Sequence, residues 1–331
     1  MSGNSVLLTG STGFLGRHVA RALVDAGHPI VAMVRRIGPE RPGVRQIEGD
    51  LEDPASIKRA LEGVGAVVHV AGFVSTALRD RRRLFEVNVI GAGNLLDAAA
   101  AAGVRRIVFT SSTSAVGALR ENRPEAALVE DAVFDLRALD VPYLQAKRAA
   151  HDAALRAREE GASVVVMSPT FVLGPGDWRL TSSELVDAFV RRKMPAYLAG
   201  GLNAVDVRDV ARAYVSVLEH RNPAPHYILA GAENLSSRAF FERLARCSGI
   251  AAPRFAIPRW AALIVGRCAE RMSPCSSLSA ASVRLGSLYW YFDASLARRE
   301  LGFATRPLDE TLRSAVDWVR KLQSREVGHA A

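Results

Sequence analysis

A phenol and an ammonium four residues apart, Tyr143 and Lys147, form the pair in this sequence best suited to moving a proton. Pro142 just before them fits the first position of a helix, so the spacing puts both side chains on one helix face. With an ordinary pKa of about 10, a phenol is a poor base near neutrality. A unit positive charge about 4 Å away, at an effective dielectric near 20, would favour the phenolate by up to roughly 4 kcal/mol, on the order of three pKa units. The spacing therefore predicts a phenol acidified by Lys147, able to take a proton from an alcohol or give one to a carbonyl. Ser111 and Ser112 close the apolar run upstream, where the Ser112 hydroxyl would stabilise a developing oxyanion. The competing reading is a solvent-facing i,i+4 pair.

A second constellation lies near the start, in Thr9-Gly10-Ser11-Thr12-Gly13-Phe14-Leu15-Gly16. It follows a short apolar run and opens a stretch with helical spacing, the context a dinucleotide-binding glycine turn requires. Gly10 permits the tight turn, Gly13 lets backbone approach a pyrophosphate, and Gly16 lets helix and strand pack closely. The helix start supplies free N–H groups and a positive dipole end. At the end of the next apolar run, where an NAD-preferring protein would place a carboxylate, stand Arg35 and Arg36. A cation there suits the 2′-phosphate of NADP(H), so NADP(H) is the expected cofactor, with NAD(H) as the alternative. Asp50 and Leu51 follow the third run, where they would contact the adenine or form a plain loop.

These residues need a frame, and the alternation of apolar runs with helical stretches supplies one. Strands are expected near Val6–Thr9, Pro29–Val34, Val44–Glu48, Ala66–Ala71, Arg106–Thr110 and Ser163–Met167, and helices near Gly13–Ala26, Pro54–Leu61, Leu84–Ala102 and Pro142–Glu160. The fold class is α/β, a Rossmann-type doubly wound parallel sheet with a smaller C-terminal substrate-binding lobe. Residues 1–170 form the dinucleotide-binding domain, with 204–230 returning to it through a strand, a helix at Asp209–Glu219 and a strand at His226–Leu229. Residues 171–203 and 231–325 form the lobe, and 326–331 a disordered tail.

The 331 residues are 49% hydrophobic and 23% charged, as for a globular chain with a sizeable core. No apolar stretch approaches a membrane span, no signal peptide is evident, and a cytoplasmic enzyme is expected. Cys247, Cys268 and Cys275 match no metal spacing, and no metal site is expected. The net charge of +9 comes from scattered residues, and the one run, Arg79 to Arg83, lacks the interleaved aromatics of a nucleic-acid site. No nucleic-acid partner is expected. The apolar stretch Phe255 to Met272 reads first as a helix covering core, and second as the wall of a lipophilic pocket or a contact with a membrane surface.

Taken together, Gly10-x-x-Gly13-x-x-Gly16, Asp50-Leu51, His69-Val70-Ala71-Gly72, Asn88-Val89-x-Gly91-x-x-Asn94, Thr110-Ser111-Ser112, Tyr143-x-x-x-Lys147 and Gly174-Pro175-Gly176-Asp177 resemble the extended short-chain dehydrogenase/reductase superfamily. The order and spacing match over the whole chain, most like the dihydroflavonol 4-reductase-like and 3β-hydroxysteroid dehydrogenase-like branch, which includes proteins called hopanoid-associated sugar epimerases. The resemblance implies that Ser112, five residues before Gly117, Tyr143 and Lys147 are catalytic and that Lys147 also holds the nicotinamide ribose. It implies that Ala71 and Gly72 pass under the cofactor, that Thr110 adjoins it and that Pro169 to Val172 meet the carboxamide. Ala146, Val116 and Leu173 depart from the family's commonest residues and leave the pocket more apolar than in sugar-nucleotide enzymes. The implied activity is ketone or aldehyde reduction, or the reverse oxidation, on a lipophilic or aromatic small molecule. The alternatives are a sugar-nucleotide epimerase or dehydratase, and an NADP(H)-binding regulator without turnover. The long helices at 84–102 and 142–160 resemble those by which the superfamily forms homodimers.

Overall fold

A computed structural model describes residues 5–272 and 279–330. Apolar runs become β1 (Ser5–Thr9), β2 (Ile30–Val34), β3 (Val44–Glu48), β4 (Val64–His69), β5 (Arg106–Thr110) and β6 (Val164–Pro169). Between them run α1 (Phe14–Asp25), α2 (Pro54–Ala60), α3 (Arg81–Phe85), α4 (Ala92–Ala101) and α5 (Pro142–Glu159). The second half contains β7 (Phe171–Leu173), α6 (Glu184–Val190), β8 (Ala196–Leu198), β9 (Gly201–Asp206), α7 (Val207–Glu219), β10 (His226–Leu229), β11 (Asn234–Ser236), α8 (Ser237–Ser248) and β12 (Phe255–Ile257). It ends with α9 (Arg259–Met272), α10 (Ala280–Gly286), α11 (Ser295–Leu301) and α12 (Leu308–Ala330).

The main sheet has seven strands in the order β10-β6-β5-β4-β1-β2-β3, and every adjacent pair is parallel. Successive strand residues point to opposite faces and both sets are apolar, as a sheet covered on both sides requires. Leu8, Val68, Val108 and Val165 pack with Val19 and Leu23 of α1 and Val210 and Tyr214 of α7. Leu7, Val67, Ile107 and Val166 pack instead with Ile57 of α2, Leu95 and Leu96 of α4, and Ala150 of α5. The chain winds outward from β1 to β3 and returns to β4 beside β1, so a crevice opens between these two at their carboxyl ends. A second core, around Phe189, Phe240, Phe241, Leu312 and Val316, joins α6, α8 and α12.

Three expectations change in detail. β4 ends at His69 rather than Ala71, because residues 70–72 turn away over the glycine turn, with Val70 N donating to Thr9 O at 3.3 Å. β9, expected to return to the first domain, pairs with β7 and β11 in a separate three-stranded sheet, whereas α7 packs on α1 and β10 pairs with β6. The tail expected to be disordered from 326 continues α12 to Ala330, a stretch without proline; Ala331 lies outside the described residues.

His69, His151 and His226 are buried in this fold. Thr9 Oγ1 meets His69 Nδ1 at 2.8 Å, Ser111 Oγ meets His151 Nδ1 at 3.0 Å, and Ser168 Oγ meets His226 Nε2 at 2.8 Å. Burial, aided by nearby positive charge, pushes His69 and His226 down to about 3 and His151 down to about 4. The unfolded chain takes up these protons near pH 6.5, so stability is lost as pH falls from 6.5 towards 4, by up to about 1.4 kcal/mol per histidine per pH unit. Urea midpoints should therefore drop steadily between pH 7 and pH 4.5, and His151→Gln should flatten the slope by about one proton. A midpoint constant over that range would show that these rings do not stay neutral.

Candidate active site

The crevice is built around close backbone approach. Gly10 adopts φ +74°, and a Cβ there would lie 2.5 Å from Ala71 N; one on Gly16 would lie 2.0 Å from Gly10 O. Gly13 caps α1 with no side-chain cap, so the first-turn amides at Phe14, Leu15 and Gly16 face the turn without a side-chain acceptor. Thr12 is exposed, and Phe14 and Leu15 are half-buried beside it. A cradle that one methyl group would fill, opening onto a helix start, fits the pyrophosphate of a dinucleotide.

Arg35 and Arg36 directly follow β2 and are exposed. Two further cations, absent from the sequence-derived set, adjoin the turn. Arg41 Nη1 donates to Ser11 O at 3.0 Å and Nη2 to Ser11 Oγ at 3.1 Å, while Arg17 Nε donates to Thr12 O at 3.0 Å. Burial and the Arg17 charge push the Arg41 guanidinium below its ordinary range. Neither has a carboxylate partner among the described residues, so the pair can accept an anion. Arg17 lies one residue past Gly16 and could have been noticed; Arg41 comes back only through the loop after β2.

Asp50 and Leu51 are held as a loop. Asp50 N donates to Ser56 Oγ at 3.0 Å, its Oδ1 accepts from Glu52 N at 3.0 Å, and the carbonyl of buried Leu51 accepts from Asn94 Nδ2 at 3.0 Å. Between α3 and α4 the helix widens into a π-turn over Glu86–Gly91, where the sequence suggested a continuous helix. This turn carries Asn88, whose Oδ1 accepts from Phe73 N at 2.8 Å and whose Nδ2 donates to Phe73 O at 2.7 Å. Asn88 so fixes the strand exit Ala71-Gly72-Phe73. A Cβ on Gly72 would lie 3.1 Å from Asn88 Oδ1 and 3.6 Å from Lys147 Nζ, so the backbone passes directly beside the ammonium.

Tyr143 and Lys147 occupy the first two turns of α5. The Ser112 and Ser114 hydroxyls lie close enough to the Tyr143 phenol to favour its ionised form, and Ser114 Oγ donates to Ser112 Oγ at 2.9 Å. Ser111 instead turns into the core towards His151. Ser114 was not foreseen, since only the short helical turn over Thr113–Ala115 swings it back to Ser112. The direction of the Tyr143 shift runs against the acidification expected from Lys147. Burial dominates and pushes the phenol above its ordinary value, the two serines oppose that in part, and Lys147 itself is pushed down by burial to about 8. Both shifts favour the uncharged forms, which for the phenol suits giving a proton more than taking one.

The remaining sequence-derived residues lie around this group. The Thr110 hydroxyl meets Tyr214 OH at 2.7 Å, and Thr110 ends β5 in register with Met167 of β6. Pro169 ends β6 with its carbonyl accepting from Thr113 Oγ1 at 3.3 Å, and Val172 is buried in β7. Tyr143 packs with Phe134, Leu139, Leu285 and Trp290 against buried Leu136, Leu144 and Leu288, so one side of the cleft is an apolar wall. Asn203, in β9, spends its side chain on Gly231, Glu233 and Asn234 within the fold.

Residues 6–231 match the NAD dependent epimerase/dehydratase family. The chain is 32% identical to a protein from Synechocystis sp. named as a dihydroflavonol 4-reductase, over 94% of this chain and 93% of that protein. It is 32% identical to sterol demethylase protein B from Methylococcus capsulatus, over 96% and 98% of the two chains. The solved structure of MoeE5 in complex with UDP-glucuronic acid and NAD superposes with a TM-score of 0.74 at 25% identity, over 96% of this chain and 99% of that one. A seven-stranded parallel sheet, a glycine cradle at its switch point and this breadth of similarity agree. The chain belongs to the NAD-dependent epimerase/dehydratase family, the extended short-chain dehydrogenase/reductases, and is an NAD(P)-dependent oxidoreductase of that type.

Proposed function

We propose that this enzyme reduces a ketone or aldehyde on a lipophilic or aromatic small molecule, with NADPH as the reductant, and runs the reverse alcohol oxidation when the product accumulates. The observation that carries this reading is the Tyr143 ring set in an apolar wall with Phe134, Leu139, Leu285 and Trp290. The glycine turn would hold the pyrophosphate, and Arg35, with Arg17 and Arg41, the 2′-phosphate. Ala71, Gly72, Thr110, Pro169 and Val172 would line the nicotinamide half, with Asp50 and Leu51 at the adenine. When bound, the cofactor supplies the hydride that reduces the carbonyl carbon.

The chain's own residues do the rest. Tyr143 gives its phenolic proton to the carbonyl oxygen, and the Ser112 hydroxyl, which accepts from Ser114, would donate to the phenolate left behind. Burial raises the phenol and so keeps it protonated beforehand, which suits an acid. The Lys147 ammonium, beside Gly72, would hold the nicotinamide ribose. Lipophilic chemistry agrees with the relative named for sterol demethylation. Nucleotide-sugar epimerisation is the second reading, favoured by the UDP-glucuronic acid bound to MoeE5. Against it stands Gly201-Leu202-Asn203, which offers no basic side chain for a diphosphate at the place where sugar-nucleotide enzymes of the resembling group commonly carry one.

Stopped-flow NADPH oxidation over a panel of lipophilic ketones and aldehydes tests the reading, and a panel with no turnover would sink it. Tyr143→Phe should lower kcat by about 10^2- to 10^4-fold while NADPH binding, followed by fluorescence, stays intact. Because Lys147 loses its charge near pH 8, reduction should hold up to about pH 8 and decline above it; a rate still rising at higher pH would contradict the assignment. Arg41→Ala should weaken NADPH about tenfold and leave NADH unchanged. Equal losses for both would remove Arg41 from the 2′-phosphate site.

A further inference from the structure

Helix α9 is turned inside out relative to a helix that covers a core. Ala262 and Gly266 face inward, and a Cβ on Gly266 would lie 3.0 Å from the backbone of Ser279 and Ala280. The large apolar residues point away from the protein: Trp260 is 69% exposed, Ile264 55% and Val265 52%, with Phe255 of the adjoining β12 at 72%. Single exposed apolar residues are ordinary, but four within eleven residues make a patch that ordinarily meets a partner. The expectation that this stretch covers core fails for these side chains.

The charge around the patch identifies what it meets. Arg254, Arg259 and Arg267 are exposed among the apolar residues, and none has an ion-pair partner among the described residues. No carboxylate occurs between Ile250 and Ala269, in a chain of net charge +9. A helix with outward tryptophan and branched aliphatics, flanked by guanidiniums and carrying in its sequence a single acid, Glu270, near its C-terminal end, has the makeup of an interfacial helix. Two copies of such a face would bring arginines together unpaired, which disfavours self-association.

We infer that the outer face of β12 and α9 docks on the surface of an anionic lipid bilayer. The arginines meet lipid phosphates, while Phe255, Trp260, Ile264 and Val265 enter the boundary between headgroups and acyl chains. Among the described residues no helix is long and apolar enough to cross a membrane, so the contact is peripheral. Its place in the fold gives it a use. α9 packs on α10, whose Ala281 lies in the same apolar group as Leu285 and the Tyr143 ring. Docking therefore brings the apolar wall of the cleft to the lipid from which a poorly water-soluble substrate would come. The docking itself does not rest on the proposed reductase activity.

The test is co-sedimentation of the full-length protein with vesicles of phosphatidylcholine alone or mixed with phosphatidylglycerol. Binding to the anionic vesicles is expected, weakened by salt, with little binding to the neutral ones. The Arg259→Glu/Arg267→Glu variant should lose binding by about tenfold or more, and Trp260→Ser/Ile264→Ser by a similar factor. Both should keep the far-ultraviolet circular dichroism and thermal midpoint of the parent, since these side chains cover no core. Parent protein that stays in the supernatant with anionic vesicles overturns the inference, as does binding that neither variant alters. Loss of a dimer by light scattering in Trp260→Ser/Ile264→Ser, without vesicle binding by the parent, would identify a self-interface instead. The readout uses no substrate or cofactor, so its failure leaves the reductase reading standing, and inactivity in the carbonyl assay leaves this one standing.

Discussion

The backbones of the first turn and the fourth strand's exit meet at van der Waals contact, with Gly10 against Ala71 and Gly16 against Gly10. A methyl group at either glycine would collide with main-chain atoms that cannot give way cheaply, because β1 and β4 are paired along their length. Everything downstream depends on that approach. It brings the start of α1 up to the crevice, sets where residues 70–72 leave the sheet, and through Asn88 and Gly72 sets what lies beside Lys147. The chemistry attributed to α5 would be out of reach of the glycine turn if the sheet opened by the width of one methyl group.

Burial, more than pairing of opposite charges, sets the protonation states in this protein. It raises the Tyr143 phenol, lowers Lys147 to about 8 and keeps three core histidines neutral. Desolvation penalises whichever form is charged, so the same dry surroundings make an acid stay protonated and a base give up its proton more readily. A site of this kind is poised to donate a proton when negative charge develops nearby. The Ser112 hydroxyl accepts from Ser114 Oγ and Ser114 N, which leaves its own proton for the oxygen that would become charged. The outer surface follows the opposite logic at α9, where large apolar side chains are left in water beside unpaired guanidiniums.

Much of the fold was legible along the chain because its signals are local. Uninterrupted apolar runs marked the inner strands, glycine spacing marked the turn, and Pro142 with the four-residue spacing put Tyr143 and Lys147 on one helix face. Elements whose partners are distant in sequence were read less well. β9 is nearly as buried as a main-sheet strand yet pairs with β7 and β11, a choice made by its neighbours. The π-turn at Glu86–Gly91, where Gly91 lies close against Leu51, is likewise a feature no helical periodicity reveals.

The sequence by itself determined the doubly wound α/β architecture, the phosphate turn and the types of group that can exchange a proton, since each depends on residues a few positions apart. Only the tertiary structure decided which serines face the phenol, that Arg17 and Arg41 flank the turn, that α9 points its bulk outward, and in which direction the phenol's acidity moves. The reason is physical: spacing along a chain determines which side chains share a face, whereas solvation and distance between charges exist only once remote segments have packed.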